Sequence, residues 1–198
     1  DFANAKKENR LFVQKKSTDQ TQLMLGFPAY PFGDKKNAAL GVLNTVLGGS
    51  MSSRLFSEIR EKRGLAYMVR SGAEQYRDTG YSYVRAGLDP KNVNKAIAVV
   101  EKELQKICEK GVSARELVDA KTHIRGGVAL ALEDSSEVAN HYARQALFAD
   151  KIYTPEERLK QIDEVTNEQI IRVAREVFKK GEMRVAVIGP HEKSGIVF

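Results

Sequence analysis

The sequence has no tryptophan, a single cysteine, three histidines and five prolines in 198 residues. With only Cys108, no disulfide can close within the chain and nothing requires an oxidising compartment, so a cytoplasmic location is the expectation. Cys108 falls between Ile107 and Glu109 on a predicted helix and reads as a small core or boundary residue. No apolar run reaches the ~20 residues that span a bilayer, so no membrane role is expected. His123, His141 and His191 stand far apart in the sequence. None has another histidine three or four positions away, so no helix face presents the paired ligands of a catalytic zinc, and no metal site is expected in this segment. No Ser-His-Asp order or Cys-His pair with supporting spacing offers another nucleophile. The first residue is Asp1, with no charged-then-apolar leader behind it, so an excised segment or a processed product is expected.

What is present describes an ordinary globular chain, 42% hydrophobic and 29% charged. The length suits one large domain or two small ones, and a domain of this size buries roughly 70% of its unfolded surface. The formal charge is +6, but 32 basic residues are interleaved with 26 acidic ones, as on solvated helix faces. Lys6–Lys7, Lys15–Lys16 and Lys35–Lys36 form doublets, none surrounded by the aromatic residues that a base-stacking platform would want, so a nucleic-acid partner is not expected. There is no internal repeat and no low-complexity tract.

In chain order, residues 10–16 and 21–27 read as strands joined by the turn formers of 17–20. Pro28, Pro31 and Gly33 make a loop, and Ala39, Leu40, Leu43 and Val46 carry a helix over 36–47. Residues 65–76 and 81–88 alternate as an antiparallel hairpin. Asp89 and Pro90 start a helix that runs to Gly111 through Val93, Ile97, Val100, Leu104 and Ile107. Ser113 with Glu116 is a capping box for the next helix, whose Gly126 and Gly127 fit close packing, a bend or simply a weakened helix. Ser135 or Ser136 begins another helix through Phe148, Thr154 with Glu157 caps a further one, and Thr166 begins the last, ending near Gly181. Residues 183–188 close the chain as a strand. The expected class is α+β, an antiparallel sheet covered by helices in one domain over 1–198.

The densest stretch is LGGSMSSRLFSEIREKRGLAYMVR, Leu47 to Arg70. Gly48 and Gly49, followed by Ser50, free the backbone to turn sharply or pass close to a ligand. Ser52 or Ser53 can cap the helix that follows. Met51, Leu55 and Ile59 give that helix an apolar stripe, while Arg54, Glu58 and Lys62 can pair along another face. Gly64 stops it. In the strand beyond, Leu65, Tyr67 and Val69 share one face and Ala66, Met68 and Arg70 the other.

This segment resembles the glycine-rich loop, helix and arginine-tyrosine segment of the second homologous domain of the pitrilysin, insulinase and mitochondrial processing peptidase superfamily of zinc metallopeptidases. AGLDPKNV, ELVDAKTHIRGGVALALEDSSEVANHYARQAL and the closing VAVIGP are similar to later signatures of that domain, so the likeness runs nearly end to end and is strongest toward the bacterial and organellar processing-peptidase branch. The resemblance implies a crypt between two similar domains, with zinc on the first and substrate-holding groups on the second. The family's arginine-tyrosine pair falls on Arg60 and Tyr67, seven positions apart. A guanidinium and a phenol are donors able to hold an extended peptide's carbonyl and stabilise the oxyanion that grows from it. The family's zinc motif has no counterpart here, so this segment is expected to be inactive alone, without cofactor, while zinc belongs to the full enzyme. Implied partners are a peptide substrate and a zinc-bearing homologous domain or subunit, with a homodimer as a possibility. Three readings follow. The chain is the C-terminal half of a single-chain peptidase; it is a non-catalytic subunit of a heteromeric one; or it is a basic nucleic-acid-binding module. Upstream sequence separates the first two, and salt-dependent binding isolates the third.

Overall fold

The structure, a computed structural model, describes residues 9–198; the Lys6–Lys7 doublet lies outside the described residues. Five strands form one sheet in the order β1-β5-β2-β4-β3. They are β1 Leu11–Lys15, β2 Thr21–Ala29, β3 Ala66–Gln75, β4 Gly80–Leu88 and β5 Arg184–Gly189. Strands β3 and β4 make the expected hairpin, β4 pairs antiparallel with β2, and β2 with β5. The expected all-antiparallel sheet needs one amendment: β1 runs parallel to β5. The closing strand inserts between β1 and β2, so the turn formers at 17–20 join strands that are not neighbours.

Alternation decides the faces. Thr21, Leu23, Leu25 and Phe27 of β2, Ser82, Val84, Ala86 and Leu88 of β4, and Val185 and Val187 of β5 are buried on one side. Helices α1 Asn37–Asn44, α2 Val93–Lys110 and α6 Asn167–Val177 bring Leu40, Leu43, Ile97, Ile107, Ile170 and Val173 into the same core. Each CH₂ removed from water there contributes about 0.8 kcal/mol. Helices α3 Ala114–Ala131 and α5 Pro155–Asp163 pack outside, on α1. Helix α4 Ser135–Phe148 is tied down by the buried Gln145, whose amide donates to the Tyr153 carbonyl (3.0 Å) and accepts from Tyr153 N–H (3.0 Å). Among the described residues the outward face of the sheet stays open: Phe12, Tyr67, Arg70, Arg85 and Ile188 are all exposed on it.

Local signals set most helix ends. Ser113 with Glu116 and Thr154 with Glu157 form the expected capping boxes, and Thr166 forms one with Gln169. Three expectations change. Asp134, not Ser135 or Ser136, caps α4, accepting from Ser136 N–H. The last helix ends at Val177, and Gly181 lies in a separate 3₁₀ turn, Lys180–Glu182. Helix α3 continues through Gly126 and Gly127, where an added Cβ would meet nothing within 4 Å, so neither glycine serves close packing.

Candidate substrate-binding site

The site is built outward from α1. At its end the helix widens into a π-helical turn, Thr45–Gly49, a feature that is often functional when it interrupts a helix. Gly48 lies against β3 so closely that a Cβ there would sit 2.6 Å from Ser71 N. The close approach expected of the glycine pair is therefore made to the chain's own strand. Ser71 Oγ donates to the Asn44 carbonyl (2.7 Å) and Ser82 Oγ to Asn44 Oδ1 (3.1 Å), which fixes the turn to β3 and β4. Ser50 is extended and leaves the turn; its carbonyl accepts from Ser53 N–H (3.2 Å) and from the Ser53 hydroxyl. Ser53 thus donates to the loop and caps the following helix only with its carbonyl, which receives Ser57 N–H.

That helix is itself π-helical over Phe56–Glu61. Leu55 and Ile59 are fully buried, but Met51 is 76% exposed and lies in the turn before the helix, so the expected three-residue stripe loses its first member. The expected Arg54–Glu58 pair is also absent. Arg54 instead reaches α3, where Nε and a terminal nitrogen grip the Glu116 carboxylate at 2.6 and 2.9 Å and the same terminal nitrogen donates to the Gly111 carbonyl (3.1 Å). This bidentate hydrogen bond, with Ser113 and against the cost of burial, holds the Glu116 carboxyl down to about 2. Glu58 pairs with Lys62 and Arg63, which likewise hold it to about 2. Arg60 is exposed, its guanidinium 5.0 Å from the Phe56 ring centroid. Gly64 turns the chain at φ +59°, in the left-handed region. Gly64 N–H then donates to the Arg60 carbonyl and Leu65 N–H to that of Ile59, binding the helix end to the start of β3.

At the start of β3, strict alternation fails. Ala66 opposes Leu88 and Met68 opposes Gly87, leaving Tyr67 as the extra residue of a β-bulge. Tyr67 and Met68 therefore both face outward, while Ala66 and Val69 are buried. The expected grouping of Tyr67 with Leu65 and Val69 is overturned: the bulge delivers Tyr67 to the open face, 62% exposed. Among the described residues, neither the Tyr67 phenol nor the Arg60 guanidinium makes a hydrogen bond or an ion pair, and no hydrogen bond joins one to the other. Sequence reasoning missed Lys91, which follows β4. Its ammonium is held above its ordinary range chiefly by the hydrogen bond to Asp89, and Tyr67 lies near enough to contribute. The sequence signals the turn through Asp89 and Pro90, but only the strand pairing brings it beside Tyr67.

The histidines are dispersed. His141 Nε2 lies 3.0 Å from the Tyr153 carbonyl, His191 Nε2 lies 2.7 Å from Thr21 Oγ1, and His123 is exposed on α3. Among the described residues, no three His, Cys, Asp or Glu side chains converge as metal ligands. The histidines of the described residues, dispersed in this way, do not make the donor set of a zinc ion. No helix is long and apolar enough to cross a membrane among the described residues. Lys15 pairs with Glu192 and Lys36 with Glu176, so both described lysine doublets are partly neutralised.

Comparison with known proteins gives a consistent result. The chain is 37% identical over 175 residues to an uncharacterized zinc protease of Streptomyces coelicolor, covering 88% of this chain and 38% of that protein. It is 32% identical over 178 residues to an uncharacterized zinc protease of Bacillus subtilis, covering 90% and 43%. The chain thus spans less than half the length of these relatives. A protease from Helicobacter pylori superposes with a TM-score of 0.83 at 26% identity, over 92% of this chain and 44% of that one. The peptidase M16 inactive domain from Pseudomonas fluorescens has the same fold, with a TM-score of 0.84 at 24% identity over 93% and 44%. The sequence model described as the peptidase M16 inactive domain matches residues 2–124, from before β1 through the bulge and into α3, and to that family this chain belongs.

Proposed function

We propose that this domain is the substrate-holding, zinc-free half of a zinc-dependent metalloendopeptidase, which encloses peptides between two homologous halves. The zinc-bearing half is carried on the same polypeptide or on a separate subunit. The observation that carries this reading is the pair of unengaged donors at one end of β3: the Tyr67 phenol, thrown onto the open sheet face by a bulge, and the exposed Arg60 guanidinium. An extended peptide lying there presents a carbonyl whose oxygen gains charge as the carbonyl carbon becomes tetrahedral. Donors aimed at that oxygen favour the charged state over the ground state, and one such donor contributes about 2.7–4 kcal/mol to the transition state in comparable sites. Gly48, Gly49 and Ser50 play a supporting part: the glycine turn is locked to β3 through Asn44 and Ser71, which sets where the helix bearing Arg60 begins.

Exposed apolar side chains on α3 and α4, including Leu130 (70%) and Leu147 (71%), support a surface that the zinc-bearing half covers. When that half is missing, self-association of this chain is the expected substitute. The test is complementation. Neither this chain nor a purified zinc-bearing half cleaves an internally quenched peptide alone, and mixing them restores cleavage with saturable dependence on this chain. Full activity of the zinc-bearing half by itself, unchanged on adding this chain, would contradict the proposal.

A further inference from the structure

Arg70 of β3 and Arg85 of β4 stand directly opposite each other in the antiparallel register, both on the open face and both exposed. Like charges in this position repel across the strands. Arg54 and Arg125, by contrast, are each answered by a carboxylate, Glu116 and Asp163. Among the described residues, no carboxylate lies within ion-pair distance of either guanidinium. Glu74, further along the same face of β3, is in register with Tyr81 instead. The surroundings are shaped as well as charged. The Tyr83 ring lies over Gly72, where an added Cβ would sit 2.8 Å from the phenol oxygen, and Arg85 stands 5.9 Å from the centroid of that ring. On the other side the pair adjoins Gly87, which opposes the Tyr67–Met68 bulge. The arginine pair is thus the next outward-facing row after the Tyr67–Met68 bulge, two residues or about 7 Å beyond Met68 at the strand rise.

We infer that Arg70 and Arg85 form a subsite for an acidic side chain of the bound peptide. The inference rests on the reading that Tyr67 holds the peptide near its reacting carbonyl. An extended peptide has nearly the same rise per residue as the strand beneath it, so a side chain two residues from that carbonyl arrives over the arginine row. A carboxylate there relieves the repulsion between the guanidiniums and accepts charge-assisted hydrogen bonds from both, which a neutral side chain cannot do. Substrates carrying Asp or Glu two or three residues from the scissile bond are therefore selected over neutral ones, and basic ones are disfavoured.

The test uses the assembled peptidase and three quenched peptides that differ only in Glu, Gln or Lys at that position, placed on either side of the scissile bond in turn. The expected order of kcat/KM is Glu, then Gln, then Lys, with about ten- to a hundredfold between Glu and Gln, carried mainly by KM. In the double variant Arg70→Glu, Arg85→Glu the order inverts toward the Lys peptide, an outcome that a merely structural role would not produce. If that variant fails to fold, Arg85→Gln alone shrinks the preference for Glu. Equal kcat/KM for the three peptides would overturn the subsite while leaving the peptide-holding role intact, since cleavage persists. Cleavage of none of them would overturn both. An oligonucleotide that competes with the Glu peptide and loses affinity in the charge-reversed variant would reassign the pair to phosphate and overturn the inference.

Discussion

Tyr67 and Met68 share a single opposing residue, Gly87, and that one irregularity decides what the segment presents to solvent. Nothing in the alternation of residues 65–70 announces it. Apolar and polar positions there fit a regular strand, and the bulge exists because Leu65 and Ala66 on one side and Val69 on the other all reach the core. The arginine-tyrosine pair could be located by its likeness to a family, whereas the direction of Tyr67 could not. Gly48 shows the opposite balance: the glycine was visible, but its reason is contact with a strand more than twenty residues on. A Cβ at Gly48 would lie 2.6 Å from Ser71 N and 3.1 Å from Arg70 C, backbone atoms that cannot swing aside. Gly48→Ala should therefore lower stability by about 1–3 kcal/mol, the usual range for overpacking, in a urea melt. Gly49→Ala, whose Cβ would meet nothing nearer than 3.3 Å, should cost clearly less. Equal losses would place the requirement in backbone freedom instead of packing.

Among the elements, helix ends were the most legible feature because their signals are local. Ser113 with Glu116 and Thr154 with Glu157 are three residues apart in sequence and satisfy orphan N–H groups within one turn. Strand order was not legible, because pairing β1 with β5 joins residues more than 170 positions apart and depends on the whole helix layer having folded. The same limit hid the partner of Arg54. Its spacing from Glu58 suited a helical pair, yet Glu116 on another helix offers a bidentate, partly buried carboxylate. This pair joins the helix bearing Arg60 to α3, and it carries a pH signature. Glu116 falls from an ordinary 4.5 to about 2 on folding, so its contribution is complete above about 4.5 and is lost as pH falls toward 2. Glu116→Gln should lower stability by about 2 kcal/mol near neutrality, discounted for partial exposure, and flatten the stability curve between those values. An unchanged acid limb in the variant's denaturation profile would assign the slope to other carboxylates, Glu58 first.

At the scale of the whole molecule, the sheet separates two surfaces. One side is sealed by α1, α2 and α6, and the other is left open with Tyr67, Arg70 and Arg85 on it. The α+β class followed from element order alone, but the exposure of Tyr67, Arg70 and Arg85 on one sheet face is a three-dimensional fact that no window of sequence contains. On the proposed function, this surface holds the peptide during its hydrolysis. In the assembled peptidase, Tyr67→Phe keeps the ring and removes only the hydroxyl, so a packing role would leave activity intact. Arg60→Ala also trims contact with Phe56 and should show a small stability loss of its own. The deciding measurement is kcat and KM for Tyr67→Phe on a peptide substrate, taken beside its thermal melt. A fall in kcat of about 10²–10³ with an unchanged melt is the predicted result. Wild-type turnover, or a melt that collapses in step with the lost activity, would contradict it.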